Sequence, residues 1–228
     1  MLGEICRRRG FRLRTIGRVG PERFPLFMIV FPGKGKTICL TTGIHGDERS
    51  GPISMLSFLK TYRHRASGPR LILFPCLNPS GFDRNRRRTA EHRDPNRHWT
   101  TKRAHVPMHG MVKRALAKEK ILHFMSLHED VRTKFFLYVM RREEETFYRK
   151  VLAAGGKVIP VHRGRNVYAK RAESGLVYDE HHTLEDWMNA QGAVTNICAE
   201  APGKLPLGIR VRLNLAVVLT WLKLCASR

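Results

Sequence analysis

TTGIHGDERSG, residues 41–51, joins an apolar run to a glycine-flanked histidine and then to two charged residues. The run that leads into it, Thr37–Thr42, is β-branched and apolar, as a buried strand requires. Gly43 and Gly46 bracket His45, so the backbone can turn sharply there and another group can approach without meeting a Cβ. From Glu48 to Tyr62, the residues Ile53, Met55, Leu56, Phe58 and Leu59 can form the apolar face of a helix. This strand–loop–helix places an imidazole and a carboxylate three residues apart. Such a pair suits zinc if a third, distant donor completes the set and one position stays open for water.

Working outward, Pro25–Phe31 reads as a strand, and GKGK at 33–36 predicts a hairpin into the Thr37 strand. Arg70–Cys76 is a further buried strand, closed by the turn-forming sequence LNPSGF. Asp83–Arg103 is polar, arginine-rich and aperiodic, too long a loop to be idle. Helical spacing over Val106–Lys120 precedes a strand, Ile121–Leu127, that ends at His128, Glu129 and Asp130. Phe135–Met140 is the next strand, Glu143–Ala154 a helix with acidic residues in its first turn, and Val158–Val161 a short strand. Thr183–Asn189 is helical, Ala193–Ala199 is a strand ending at Glu200, and Leu207–Leu224 can form a closing amphipathic helix. Residues 1–23 are a basic N-terminal arm or edge strand. The alternation predicts one α/β domain over residues 1–228, a sandwich with a mixed central sheet and helices on both faces. His45, His128 and Glu200 each follow a strand, where functional residues of α/β folds gather.

HGDE at 45–48, NPSGF with DPNR at 94–97, SLHED at 126–130 and the late AEAPG at 199–203 occur in an order and spacing that resemble the zinc metallocarboxypeptidases of the carboxypeptidase A type. The likeness lies in the branch shared with succinylglutamate desuccinylases and aspartoacylases. It implies a three-layer fold and one zinc ion per chain on His45, Glu48 and His128, with Glu200 as general base and acid. Arg87 takes the oxyanion by the spacing usual in similar bacterial proteins, although Arg84, Arg86 and Arg88 lie in the same loop. Asn96 and Arg97 match the pair that receives the substrate carboxylate, a task for which a guanidinium fork is suited. An ungapped comparison over the late segment puts Tyr178 at the mobile tyrosine and Glu185 at the side-chain pocket. A carboxylate there would favour substrates ending in Lys, Arg or an amino-bearing residue such as diaminopimelate; the alternative is a helix-end acid favoured by the dipole. Pro95, before Asn96, departs from the apolar residue more usual in the family.

The chemistry implied is hydrolysis of a C-terminal peptide bond, with N-acyl amino acid hydrolysis as the alternative substrate class. The composition bears on a third reading. Lys and Arg number 42 against 19 Asp and Glu, a formal charge of +23, as in chains that bind nucleic acid or other polyanions. No stacking aromatics are interleaved with the arginines and no nucleic-acid-binding motif is present, which favours a solvated basic face. No apolar run approaches the roughly 18 residues of a membrane span and no signal-peptide pattern follows the basic start, so a cytoplasmic protein is expected. Five cysteines without CxxC spacing fit a reducing compartment.

Overall fold

The computed structural model describes residues 1–101, 105–178 and 182–227; the last two residues of the Asp83–Arg103 loop lie outside them. The chain begins with helix α1 (Leu2–Arg8) and strands β1 (Arg12–Val19), β2 (Phe24–Phe31) and β3 (Thr37–Thr42). Next come α2 (Ser50–Thr61), β4 (Arg70–Phe74), α3 (Pro79–Asp83), α4 (Pro107–Leu116), β5 (Ile121–Asp130) and β6 (Phe136–Val139). A short 3₁₀ turn leads into α5 (Glu145–Gly156), which is followed by β7 (Asn166–Val167), β8 (Lys170–Glu173) and β9 (Leu176–Tyr178). The chain closes with α6 (Leu184–Ala190), β10 (Thr195–Pro202) and α7 (Leu207–Ala226).

Among the described residues the strands form one sheet in the order β1-β2-β4-β3-β5-β10-β6-β9-β8-β7. Its centre, β4-β3-β5-β10, is parallel, and both flanks are largely antiparallel. Side chains alternate across it, as the strand period of two demands. Ile38 and Leu40 of β3 join a cluster with Met55 and Phe58 of α2 and Trp221 of α7, while Cys39 faces the opposite way, towards Met108 and Val112 of α4. A strand buried on both faces reads as a continuous apolar run, which is why TICLTT is so legible. Helices on each face give the expected three layers. The buried stripe of α7, Leu213, Val217, Trp221 and Cys225, recurs every four residues, so one side of that helix faces the sheet along its length.

Three expectations change. GKGK makes no hairpin, because β4 lies between β2 and β3 and pairs with both, antiparallel to the first and parallel to the second. The basic N-terminus carries an edge strand, one of the two forms expected of it, but a helix that was not expected precedes that strand, with Cys6 and Phe11 anchored in the α2–α7 cluster. Val158–Val161 contributes only an isolated bridge, Phe135 to Val161. No helix of the described residues is long and apolar enough to cross a membrane.

Candidate active site

The carboxyl ends of β3, β5 and β10 carry the polar cluster. The parallel register of β5 and β10 pairs Ser126 with Cys198 and His128 with Glu200, and alternation sends these four side chains to the same face of the sheet. His45 arrives from the loop after β3, and Glu48 two residues before α2. That loop is held by its surroundings. Gly43 has φ +61°, and a Cβ on Gly46 would lie 2.0 Å from the Gly81 carbonyl carbon and 2.3 Å from the Phe82 nitrogen, both backbone. Gly46→Ala is therefore expected to cost about 1–3 kcal/mol in denaturant unfolding and to weaken metal binding together with it, because the backbone of the His45 loop must move away from α3.

His45 Nδ1 lies 2.6 Å from Glu48 Oε1, and His128 Nδ1 lies 2.9 Å from Glu48 Oε2. The two rings meet edge to face, with centroids 5.2 Å apart. All three residues are buried, and their ligand atoms fall within 4.8 Å of one another. Despite the short approach to His128, Glu48 Oε2 has no partner in hydrogen-bonding geometry. Two imidazoles turned by the same nitrogen onto one buried carboxylate, with an oxygen left unsatisfied, form a donor set fit for a divalent cation. Without a cation, burial works against charge on all three. The neighbours prevail: the two imidazoles hold Glu48 below the usual carboxylate range, Glu48 and Asp94 hold His45 above the usual imidazole range, and Cys198, Glu48 and Glu185 do the same for His128.

The remote ring nitrogens are also engaged. His45 Nε2 lies 3.1 Å from Asp94 Oδ1, which also accepts the Asn96 N–H at 2.9 Å. The sequence reading gave Asp94 no role of its own, although DPNR contains it. Carboxylate–histidine–metal contacts fix the ring and its tautomer, so Asp94→Asn is expected to weaken metal binding about 10- to 100-fold in a competition titration. On the other imidazole, Nε2 of His128 lies 3.5 Å from Glu185 Oε1.

Glu200 borders the same cavity of about 390 Å³ as the three cluster residues. Burial first, with Glu48 and Asp130 adding to it, pushes its carboxyl up to about 7 against the pull of His128. Arg87 reaches Glu48 Oε1 at 3.2 Å and Asp94 Oδ2 at 3.4 Å, and its side chain is 44% exposed at the cavity wall. The backbone explains that placement: the Arg87 carbonyl accepts from the Gly46 N–H at 3.4 Å and from Asn78 Nδ2 at 3.2 Å, tying it to the His45 loop. Arg97 is exposed and also lines the cavity.

The other substrate-binding expectations meet a different arrangement. Asn96 is buried with both ends of its amide in use, Oδ1 accepting from the Leu184 N–H at 2.9 Å and Nδ2 donating to Glu185 Oε2 at 3.2 Å. Glu185 is only 2% exposed; it accepts from Asn96 and Ser126 Oγ, faces His128, and its carboxyl falls to about 2 as those partners outweigh burial. It is not a surface acid of α6; both Asn96 and Glu185 border the cavity, and a cationic substrate end that reached Glu185 would share its carboxylate with Asn96, Ser126 and His128. Tyr178 does not border the cavity: its hydroxyl donates to Glu145 Oε2 at 3.4 Å and Arg142 lies 4.0 Å over its ring. The tyrosines that do are Tyr138 and Tyr168, the latter donating to Asp130 Oδ2 at 2.6 Å. Tyr168 sits at the tip of the β7–β8 hairpin, whose two- and four-residue strands are too short to show a sequence period.

Residues 34–137, a little under half the chain, match the sequence model of the succinylglutamate desuccinylase/aspartoacylase catalytic domain. Comparison with curated proteins gives no match. Among solved structures, a candidate metallopeptidase from Shewanella amazonensis SB2B is similar at 24% identity and a TM-score of 0.88, over 100% of this chain and 91% of that one. A metallo-carboxypeptidase from Burkholderia cenocepacia aligns at 13% identity and a TM-score of 0.77, over 99% of this chain and 67% of its own. One from Pseudomonas aeruginosa, in complex with (2-guanidinoethylmercapto)succinic acid, aligns at 15% and 0.76, over 98% and 68%. The chain is an enzyme of the metallohydrolase type, with a metallopeptidase- and carboxypeptidase-like fold related to the succinylglutamate desuccinylase/aspartoacylase family.

Proposed function

We propose that the chain is a zinc-dependent amidohydrolase whose substrate is an N-acyl amino acid or a comparably small amide. The observation that carries the reading is the convergence of His45 Nδ1, His128 Nδ1 and the Glu48 carboxylate beside Glu200 in one cavity. The catalytic-domain match over 34–137 spans His45, Glu48, Arg87, Asn96, Arg97 and His128, and it favours acyl amino acids over the C-terminal peptide bond that the sequence first suggests.

His45, Glu48 and His128 would hold the zinc ion. Bound there, zinc supplies a Lewis acid and brings the pKa of its water towards about 7. Glu200 accepts the proton of the attacking water and returns it to the leaving nitrogen, which needs a group able to hold a proton near neutral pH. The Arg87 guanidinium faces the same corner as Glu48 and is placed to stabilise the developing oxyanion. Among the described residues Arg97 is the other arginine that borders the cavity, and it suits the substrate carboxylate, which a planar fork binds at two points. Asp94 holds His45 in the orientation that presents Nδ1 to the cluster.

The test is metal analysis of purified protein beside a panel of N-acetyl and N-succinyl amino acids and of peptides with free C-termini. About one zinc per chain with turnover of the acyl amino acids is expected. Turnover confined to peptides would return the carboxypeptidase reading to first place. Full occupancy with no amide cleaved would remove both.

A further inference from the structure

The proposed hydrolysis leaves one wall of the cavity without a task. Arg87 and Arg97 enter it from the loop between α3 and α4, whereas Tyr138 lies on β6, Met140 just after it, Val131 just after β5 and Tyr168 in the turn between β7 and β8. Six large apolar side chains are exposed among the described residues, and two of them, Val131 at 67% and Tyr168 at 55%, border this cavity. Scattered singly, such side chains mean little; paired at the rim of a pocket, they mark surface that a ligand covers.

Tyr168 is held there in an unfavourable backbone conformation. Val167 pairs with Lys170, so Tyr168 and Ala169 make a two-residue turn, and Tyr168 has φ +53°, a conformation that such turns ordinarily give to glycine. Its ring is fixed from two sides. The hydroxyl donates to Asp130 Oδ2 at 2.6 Å, and the Arg132 guanidinium, which does not border the cavity, lies 4.3 Å from the ring centroid. The hairpin itself is braced on β6, because Val167 and Ala172 share a small apolar cluster with Phe136 and pack against Tyr138. Strained residues gather at ligand clamps, and a ring already fixed loses little entropy when a ligand meets it.

The acids on this side have partners of their own. Asp130 accepts from the Arg132 N–H at 2.8 Å as well as from Tyr168, and Glu129 accepts from the Ser50 N–H at 2.6 Å and pairs with Arg210. Among the described residues a second carboxylate on the substrate would meet these two acids and no cation on that wall, whereas an apolar group would meet Val131, Met140 and the tyrosine rings.

We propose that Val131 and the Tyr168 ring seat the acyl group of the substrate and make the enzyme select aromatic or long aliphatic acyl chains over acetyl and succinyl. The inference rests on the N-acyl amino acid reading. With the substrate carboxylate at Arg97 and its carbonyl between Arg87 and the metal-binding residues, the acyl group is the part still to be placed, and the wall without arginines is the one left to receive it. In the sheet order β10, which carries Glu200, separates β3 and β5 from β6 and the hairpin, so this wall lies across Glu200 from the Arg87 loop that is tied to Gly46. One apolar group more or less in such a pocket discriminates by about 10- to 200-fold.

The experiment measures kcat/KM of the zinc-loaded protein for the N-benzoyl, N-octanoyl, N-acetyl and N-succinyl derivatives of one amino acid, and their Kd for Glu200→Gln by calorimetry, where binding is read without turnover. Benzoyl and octanoyl are expected to exceed acetyl and succinyl at least tenfold in both readouts. Tyr168→Gly, which suits the backbone of that turn, should lower the benzoyl-to-acetyl ratio at least tenfold. Tyr168→Phe should hold the ratio within threefold, since the ring and not the hydroxyl meets the acyl group. Val131→Asp, outside the hairpin, should also lower the ratio at least tenfold and covers the case in which the glycine variant does not fold. Acetyl or succinyl derivatives cleaved and bound as well as benzoyl, or one ratio shared by wild type, Tyr168→Gly and Val131→Asp, would overturn the acyl seat while leaving the hydrolase reading in place. The expected binding preference in Glu200→Gln with no derivative cleaved by the wild type would instead keep the apolar seat and remove the hydrolase reading.

Discussion

With Gln in place of Glu200, zinc is expected to remain at one ion per chain while kcat/KM for the preferred amide falls about 10²- to 10⁴-fold, roughly 3 to 5 kcal/mol of barrier. The substitution keeps the side chain's shape and leaves His45, Glu48 and His128 untouched. It removes only the group that can hold a proton beside the attacking water. Steady-state kinetics beside metal analysis checks it, and a variant that keeps half the wild-type rate would make Glu200 a bystander. The metal-free protein offers an independent reading. Its Glu200 carboxyl is pushed up to about 7 from an ordinary 4.5, chiefly by burial. The folded state then keeps a proton that the unfolded chain has lost, so this group's contribution to stability falls as pH rises from about 4.5 to 7. Glu200→Gln should remove that decline, and unfolding of metal-free wild type and variant at pH 5 and pH 8 would show it.

Removing a ligand should act on metal and fold together. His128→Ala is expected to abolish stoichiometric zinc binding and all measurable hydrolysis, and to cost the metal-free protein about 3 kcal/mol at neutral pH. Glu48 is buried at 5% exposure and leans on His128, His45 and Arg87 for its charge. Deleting one partner of a buried ionic cluster leaves charge that the interior cannot solvate. His45→Ala should behave alike, and it also strands Asp94. Adding Glu48→Gln to His128→Ala should recover part of the lost stability without restoring zinc, which separates the electrostatic cost from loss of packing. Zinc at one ion per chain in both alanine variants would show that the ligands lie elsewhere.

Much of the architecture was readable because it is written locally. TICLTT and ILHFMSL declare themselves as central strands, since residues buried on both faces leave no polar alternation, and the observed β3 spans Thr37–Thr42 as read. The stripes of α2 and α7 follow the helical repeat, and α6 starts at a capping box between Thr183 and Asp186. His45, His128 and Glu200 could be listed together because each follows a central strand, and Glu48 joined them through its place three residues after His45 and the family resemblance. Their meeting follows once those strands lie side by side in parallel.

Pairing partners and the destination of each polar side chain were settled only in three dimensions. A turn sequence such as GKGK states that the chain can reverse, not which neighbour its strands will choose, and β4 claimed the edge between β2 and β3 because burying its RLILF run on both faces outweighed the short hairpin. The family resemblance put Asn96 and Glu185 at the substrate, and both border the cavity, but only the fold shows that, 89 residues apart, they also hydrogen-bond each other, since a buried amide or carboxylate is costly to leave unpaired. Tyr178 ends the short strand β9 and Tyr168, ten positions earlier, sits in the β7–β8 turn, where no sequence period can be read, and the fold of that hairpin decides which borders the cavity. The sequence by itself determined the strands, the helical faces and the metal-binding residue types, because these depend on neighbours within a few residues. Only the tertiary structure decided which carboxylates steady the two imidazoles and which side chains remain free for substrate, because buried polar groups are satisfied by whatever the fold brings within about 3 Å of them.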